Sequence, residues 1–593
     1  MKSFLKYTLA TITGLLIAGV LFFFISLAGL SLMIASAEKP VSIRSNSVLV
    51  LNTGLIIPEK GTNDPFSSFD PINFTFTPAP GINDILKNLE KAADDEKIKG
   101  VLIENGLMIN GWGKAEEIRN ALLRFKESGK FLISYTDYIL SQESYYISSV
   151  ADKIYVNPNT MMEFKGLVSE ITFYKDALEK LGVNVQVIRH GKYKGAVEKF
   201  MLNELSAENR EQITDYLNGM WKHVVSQIGQ SRKLSVEKLN QLADNLVSFD
   251  ISKAMEEGLV DGLMYRDEII EELKTLTGTE ENKNLEKVTM AKYRDVEKVT
   301  KGKGKKGKIE ASIAVVYAEG TINMGKTTSG MIGGDGFASI LRKIREKGDH
   351  EAVVLRLNSP GGNAMASDNM WREIRLLSDS IPVVVSMSNY AASGGYYISA
   401  PATKIFAQPT TLTGSIGVYV LFPEVSGLME NKLGIKTDVV KTNEKADILS
   451  PYRGMSGEEQ MIFQQHIDRT YNEFVSRVSE GRDIPQEKVD DLGQGHVYAG
   501  RAALDLNLVD KIGGLRDAID EAARLASLDD YEIKEYPEEE DPFEKLIKSL
   551  TGDMKSRIIR KELGEMARHY DDINELKTLT GIQARLPYFI EIR

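Results

Sequence analysis

The sequence predicts an α/β fold in which two tandem, homologous domains follow an N-terminal transmembrane helix. Three observations support this prediction. Short runs rich in valine and isoleucine alternate with helical patterns, a set of short motifs recurs later in the chain, and a long uncharged segment lies near the N-terminus. At roughly 100 to 200 residues per domain, a chain of 593 residues has room for several domains.

The α/β class rests on the pattern in the second half of the chain. Continuous apolar runs predict buried strands at Ile313–Tyr317, Ala352–Leu357 and Ile381–Ser386, and Asp368–Leu377 follows a helical pattern. Strands that are apolar throughout and alternate with helices are typical of buried, largely parallel sheets.

The duplication is visible in paired motifs. Tyr145–Ser148 recurs as Tyr396–Ser399, and Leu259–Asp261 recurs as Leu508–Asp510, in the same order and at nearly the same offset. Such recurrence indicates two copies of one domain. The predicted organisation is a cytoplasmic tip and anchor at 1–38, a first domain at 45–276, a charged linker at 277–310, a second domain at 311–530 and a helical appendage at 531–593.

The anchor is predicted from a segment without charge. No charged residue occurs from Tyr7 to Ala37, which exceeds the roughly 20 residues that cross a bilayer. A cleaved signal peptide is the alternative, because Ala35–Ala37 has the small-residue pattern of a cleavage site. Lys2 and Lys6 precede the segment and place the N-terminus in the cytoplasm by the positive-inside rule. We therefore expect a single-pass membrane protein with a large extracytoplasmic body.

Composition excludes several classes of function. The chain has 84 acidic and 73 basic residues, and its net charge of -11 argues against nucleic acid as a partner. Cysteine is absent, so thiolate nucleophiles, disulfides and cysteine-ligated metals are excluded. The six histidines lack the spacing of a zinc hydrolase. We expect neither a metal nor a cofactor.

A candidate nucleophile follows the strand Ile381–Ser386. Ser393 lies where the chain turns into a helical pattern, between Ala392 and Gly394, which would leave its side chain open to a substrate. A helix-capping serine is the alternative interpretation. The first repeat has Gln142 at the position of Ser393, which indicates one active and one degenerate copy.

A serine nucleophile needs a base, and no histidine motif supplies one. A lysine can act as a base only where burial lowers its pKa and no carboxylate is paired with it. Lys194, within Gly191–Val197, is the candidate, and a solvated surface lysine is the alternative. Ser235–Lys238 also fits a Ser-x-x-Lys pattern, but it is more typical of a helix cap followed by a surface lysine.

A glycine pair could supply backbone donors. Gly361 and Gly362 follow the strand Ala352–Leu357, and glycines there let the backbone NH groups approach a developing oxyanion. An ordinary Pro-Gly turn is the alternative.

Four motifs together resemble the long, duplicated form of the signal peptide peptidase A family, also called protease IV. They are Tyr193–Glu198, Asn358–Gly362, Ala391–Tyr396 and Thr413–Val418. The resemblance implies a ClpP/crotonase-like fold for both domains and a Ser-Lys dyad. The implied roles are Ser393 as nucleophile, Lys194 as general base and acid, Ser415 as the residue that orients the lysine, and Gly361, Gly362 and Gly394 as the oxyanion hole.

The resemblance also implies substrates and a location. Members of the family degrade signal peptides left in the membrane, so signal peptides and other short hydrophobic peptides are the expected substrates. A homo-oligomer, a tetramer in the long form, is expected in the cell inner membrane with its catalytic body on the periplasmic or extracytoplasmic side. Two alternatives remain open at this point: a crotonase-like acyl-CoA enzyme and a non-catalytic membrane scaffold.

Overall fold

The computed structural model describes residues 42–62, 69–70, 75–76, 80–108, 110–296, 311–327, 330–538 and 581–586, with scattered positions between 6 and 21. The predicted anchor at 7–37 therefore lies mostly outside the described residues. Among the residues that are described, no helix is both long enough and apolar enough to cross a membrane.

Among the described residues, the first half of the chain forms a six-stranded main sheet, two small two-stranded sheets and one strand that belongs to a third large sheet. Its strands are β1 Ser47–Asn52, β2 Phe69–Asp70, β3 Thr75–Phe76, β4 Ile98–Glu104, β5 Phe131–Thr136, β6 Ile139–Leu140, β7 Lys153–Val156, β8 Met161–Met162, β9 Asn184–His190, β10 Gly262–Leu263 and β11 Lys287–Thr289. Its helices are α1 Ile82–Asp94, α2 Trp112–Lys126, α3 Gln142–Ser148, α4 Lys175–Leu181, α5 Glu198–Met201, α6 Ala207–Arg232, α7 Val236–Asp244, α8 Ile251–Glu256, α9 Arg266–Thr277 and α10 Met290–Arg294.

Among the described residues, the second half forms a second main sheet and supplies most strands of the third large sheet. Its strands are β12 Ser312–Glu319, β13 Thr321–Asn323, β14 Met331–Gly333, β15 Ala352–Ser359, β16 Gly361–Asn363, β17 Val383–Ala392, β18 Lys404–Ala407, β19 Leu412–Gly414, β20 Val418–Glu424, β21 Val497–Ala499, β22 Lys511–Ile512, β23 Glu532–Tyr536 and β24 Gln583–Arg585. Its helices are α11 Gly334–Lys347, α12 Ala364–Ser378, α13 Gly394–Ser399, α14 Gly457–Arg482, α15 Gln486–Leu492, α16 Gly500–Asp505 and α17 Leu515–Leu525.

The two main sheets have the same strand order. The first runs β10-β7-β5-β4-β1-β11, and the corresponding path in the second runs β22-β18-β17-β15-β12-β23. Every pairing along both paths is parallel. The prediction of an α/β fold with largely parallel, buried strands is confirmed, and the shared order matches the duplication seen in the sequence.

Two strands lie beyond the predicted boundaries of the domains. The linker was predicted to begin at residue 277 and the appendage at residue 531, yet β11 and β23 lie beyond those points and each pairs with the first strand of its sheet. Both strands are short edge strands with little apolar content: only Val288 of β11 is buried, and the side chains of β23 are half-buried or exposed. Charged residues on an edge strand face solvent, so the sequence of such a strand resembles that of a solvated linker.

A third sheet joins the two repeats. Its order is β14-β13-β16-β24-β20-β9, and β9 of the first repeat is antiparallel to β20 of the second over seven residue pairs, from Val418 opposite His190 to Glu424 opposite Asn184. The chain leaves β9 at His190 and enters the Gly191–Val197 segment directly. This sheet therefore places the candidate lysine of the first repeat next to the second repeat.

A buried ion cluster also holds the repeats together. The guanidinium of Arg356, on β15, lies 2.6 Å from Glu59 and 2.6 Å from Glu117, both in the first repeat. It also donates to Ser386 and Ser388 on β17, at 2.9 and 3.0 Å. All of these groups are buried, so removing one partner would leave a charge uncompensated in the interior.

Candidate active site

Ser393 lies at a sharp turn between β17 and α13. Its backbone has φ 54° and ψ −112°, outside the conformations that ordinary L-residues prefer. The turn is held on both sides, because the Ser393 N–H donates to the Gly414 carbonyl at 2.7 Å and the Ser393 carbonyl accepts from Tyr397 at 2.7 Å. Strained backbone that is fixed in this way occurs at functional sites, and a nucleophile on a strand-to-helix elbow is one example.

Lys194 reaches Ser393 from the other repeat. Its Nζ lies 2.7 Å from the Ser393 Oγ, and both side chains are completely buried. The same nitrogen lies 2.9 Å from the Ser415 Oγ and 3.0 Å from the Ser415 carbonyl oxygen. All three oxygens lie within hydrogen-bonding distance of Nζ, and a neutral amine, with two N–H donors and one lone pair, can donate twice to Ser415 and accept from the Ser393 hydroxyl.

The surroundings of Lys194 favour the neutral form. Burial lowers the pKa of the Lys194 amine well below its usual value. Within the described residues, Nζ pairs with no carboxylate that would restore the charge. A neutral amine can take a proton from a hydroxyl 2.7 Å away.

Burial of this lysine has a consequence for stability. Lys194→Met should raise the thermal-unfolding midpoint, and by more at pH 7 than at pH 9. In the unfolded chain lysine has a pKa of about 10.4 and is charged at both pH values. Because the folded pKa is depressed, the free energy of unfolding of the wild type falls as the pH drops from about 10.4 toward that pKa, by at most about 1.4 kcal/mol per pH unit.

Calorimetry of both proteins at the two pH values checks this expectation. Lys192→Met, at an exposed position of the same segment, provides the control for removal of a lysine that is not buried. If Lys194→Met raised the unfolding midpoint no more at pH 7 than at pH 9, the result would contradict a depressed pKa of Lys194.

The three predicted oxyanion-hole glycines lie together beside the serine. Gly361 has φ 93°, and its N–H donates to the Ser359 Oγ at 3.1 Å, so it shapes the turn rather than offering a donor. Gly362 is in β16, and Gly394 begins α13 directly after the serine. A Cβ on Gly394 would lie 3.1 Å from the Gly362 nitrogen. The N–H groups of Gly362 and Gly394 are therefore the pair that could hold an oxyanion.

The equivalent turn in the first repeat lacks these features. Gln142 begins α3 after the cap Ser141, which has an ordinary extended backbone with φ −66°. The Gln142 amide is bonded to the backbone of Lys165 and Gly166 at 2.9 to 3.0 Å. Glu143 takes the place of Gly394, and burial raises the pKa of its carboxyl to about 7. A bulky carboxyl at this position leaves no hole for an oxyanion.

Several residues that the sequence analysis missed hold Lys194 in position. Gly495 has φ 82°, and a Cβ there would lie 2.6 to 2.8 Å from the Lys194 backbone and Cβ. The neighbouring Gln494 carbonyl accepts from the Tyr193 N–H at 2.8 Å. Gln212 bridges the repeats, since its amide donates to the Tyr193 carbonyl and accepts from the Val497 N–H. The only local signal was the Gly-x-Gly pattern at 493–495, which alone is a weak indication.

Ser235 and Lys238 do not form a second site. The Ser235 side chain caps α7 by accepting from the Lys238 N–H at 3.1 Å. The Lys238 amine is more than one-third exposed and pairs with Glu257. The interpretation as a helix cap followed by a surface lysine is confirmed.

Comparison with known proteins assigns the family. The model of peptidase family S49 matches the chain twice, at residues 124–280 and 375–529. The chain belongs to peptidase family S49. It is similar to Protease 4 of Salmonella typhi, with 30% identity over 562 residues that cover 92% of this chain and 89% of that protein.

Two other relatives support the same assignment. Protease 4 of Haemophilus influenzae is 34% identical over 453 residues, which cover 75% of this chain and 73% of that protein. The chloroplastic serine protease SPPA of Arabidopsis thaliana is 33% identical over 465 residues, which cover 77% of this chain and 68% of that protein. This S49 protein is a serine peptidase with two tandem family domains, in agreement with the resemblance drawn from its motifs.

Proposed function

We propose that this S49 peptidase is a membrane-anchored endopeptidase that degrades cleaved signal peptides and other short hydrophobic peptides with a Ser-Lys dyad. The observation that carries the proposal is the 2.7 Å separation of the Lys194 Nζ and the Ser393 Oγ in a fully buried site. In this proposal Ser393 is the nucleophile, Lys194 the general base and acid, and Ser415 the residue that orients the lysine.

The mechanism follows from these contacts. Neutral Lys194 removes the proton of Ser393 as the oxygen attacks a peptide carbonyl. The N–H groups of Gly362 and Gly394 hold the oxyanion, and such donors contribute roughly 2.7 to 4 kcal/mol each. Protonated Lys194 then gives its proton to the leaving amine, and water hydrolyses the acyl-enzyme. Two donors to Ser415 direct the lone pair of neutral Lys194, and later the proton bound there, toward Ser393.

The proposed location and assembly rest on the N-terminal sequence and on the family resemblance. The uncharged segment from Tyr7 to Ala37 would anchor the chain once in the cell inner membrane, with the catalytic body on the periplasmic or extracytoplasmic side. The domains proposed from the repeat, 45–276 and 311–530 with the edge strands β11 and β23 added, would assemble as a homo-oligomer, a tetramer in this long form. Membrane attachment would bring the site close to signal peptides that remain in the bilayer.

A covalent probe tests the reaction class. The full-length protein in detergent is treated with a fluorophosphonate, and the modified residue is located by peptide mass spectrometry. We expect the label on Ser393 and its loss in Lys194→Met, because the serine needs its base. Absence of label on Ser393 would instead fit an acyl-CoA enzyme of the same fold or a non-catalytic scaffold, and would contradict the proposal.

A further inference from the structure

A buried carboxylate lies four residues after the candidate base. Glu198 is completely buried, yet the hydrogen bonds of the Lys194 amine go to serines and not to this carboxylate. The Glu198 carboxylate accepts from the Asn209 side-chain amide at 2.7 Å and from the Ser206 N–H at 3.2 Å, and it lies 3.5 Å from the Arg189 guanidinium. Burying a charge is unfavourable unless its partners are arranged for it, so these partners indicate what the carboxylate does.

A chain of side-chain amides leads from Glu198 to the segment that carries the base. The Asn209 Oδ1 accepts from the Gln212 Nε2, which also donates to the Tyr193 carbonyl at 2.9 Å. The Gln212 Oε1 accepts from the Val497 N–H of the second repeat at 3.0 Å. Asn209 and Gln212 are as buried as Glu198, so the members of the chain bond to one another and to backbone groups rather than to solvent.

The carboxylate determines the direction of every hydrogen bond in this chain. A carboxylate only accepts, whereas an amide donates from its nitrogen and accepts at its oxygen. Asn209 must therefore turn its nitrogen toward Glu198 and its oxygen toward Gln212. Gln212 must then direct its nitrogen at Asn209 and at the Tyr193 carbonyl, which leaves its oxygen for the Val497 N–H.

A second branch reaches the lysine backbone itself. The Arg189 guanidinium beside Glu198 also donates to the Lys194 carbonyl at 3.2 Å. The carbonyl groups of Tyr193 and Lys194 lie on either side of the Lys194 Cα, so each branch holds one of them. One ionised group thus orients the donors that fix the backbone of the base on both sides.

We propose that Glu198 is a positioning residue for catalysis, which aligns the Lys194 amine with Ser393 through Gln212 and Arg189. This rests on the proposed Ser-Lys function. Glu198 does not contact the reacting atoms and acts only through the backbone that carries the base. A misplacement of about 1 Å can lower a rate by roughly 100-fold, so loss of this alignment should reduce kcat without weakening the binding of a peptide.

Glu198→Gln tests the proposal because it keeps the shape of the side chain. If the oxygen of the new amide faces Asn209, its nitrogen faces the Ser206 N–H, so two donors meet. If its nitrogen faces Asn209, the chain must reverse, and the donors meet at the Val497 N–H instead. We expect kcat on a hydrophobic peptide to fall roughly 10- to 100-fold while KM stays within a few-fold of the wild type. Glu211→Gln, at an exposed carboxylate of α6, is the control and should behave as the wild type does.

Gln212→Met interrupts the same chain at a second point. It should lower kcat by a similar factor, and the double variant with Glu198→Gln should be little slower than either single variant. Gln230→Met changes an exposed glutamine of the same helix and should leave kcat unaltered. Circular dichroism and thermal unfolding check each variant, and if Glu198→Gln does not fold, Gln212→Met decides the result.

A Lys194→Met background separates positioning from a structural role. Because Glu198 acts only through the lysine, Glu198→Gln should not lower the residual kcat of Lys194→Met any further. A further loss there would overturn the proposal, and so would folded Glu198→Gln and Gln212→Met variants that keep the wild-type kcat or change KM alone. These results would leave the Ser-Lys function intact as long as the wild type hydrolyses the peptide and is labelled at Ser393. A wild type that does neither overturns that function as well.

Discussion

Ser393→Ala is expected to lower kcat for peptide hydrolysis by at least about 1,000-fold while the protein stays folded, because nucleophile and base act as one unit. The substitution removes a single oxygen from a completely buried position and introduces no bulk. Steady-state kinetics on a hydrophobic peptide measures the loss, and circular dichroism together with size-exclusion chromatography checks fold and assembly.

Two substitutions serve as controls for that loss. Ser399 is a buried serine of the same helix, α13, and its hydroxyl bonds only to the Gly395 carbonyl among the described residues, so Ser399→Ala should stay within a few-fold of the wild type. Gln142→Ala alters the degenerate turn and should have an equally small effect. The assignment of the nucleophile would be wrong if Ser393→Ala kept near wild-type turnover. It would also be wrong if Gln142→Ala lowered kcat as much as Ser393→Ala does.

Lys194→Met is expected to reduce kcat by a similar factor, at least about 1,000-fold, because the serine is then left without a base. Methionine has about the same length and suits a buried site, so the fold should be preserved. KM should change little, since the described contacts of the Lys194 Nζ are to Ser393 and Ser415. Adding Ser393→Ala to this variant should lower kcat little further, as expected for two residues that act together.

Lys192 provides the matched control, since it lies two residues away and is exposed. Lys192→Met changes the same residue type in the same segment and should leave kcat within a few-fold of the wild type. Equal losses in the two lysine variants would indicate damage to the segment rather than removal of a base.

The features of the fold that could be predicted are those with a local signature. Strands at Ala352–Leu357 and Ile313–Tyr317 are rich in apolar residues because both faces of their sheet are covered, and the structure extends each by only one or two residues at an end. The turn at Ser393 could be located because small residues and glycines mark it in the sequence. Its strained φ and ψ values confirm the expected elbow.

Other features depend on partners that are distant in the sequence. The strand predicted at Ile381–Ser386 continues to Ala392 in β17, where the polar Ser388 is buried against Arg356 and Glu59. The place of Gly495 against Lys194 arises from contact between the repeats. Strand β24 has three residues and no recognisable strand pattern, and it pairs with β16 and β20, which are distant in the sequence.

The pH dependence of kcat/KM tests the central claim most directly, because this quantity reports the ionisation of the free enzyme's base. Lys194 must be neutral to accept the proton of Ser393, so activity should increase with pH. We expect log kcat/KM to rise with a slope near one and to level off at neutral to mildly alkaline pH, above the depressed pKa of Lys194. A profile that is flat from about pH 5 to about pH 9 would contradict a titrating lysine base and with it the Ser-Lys dyad.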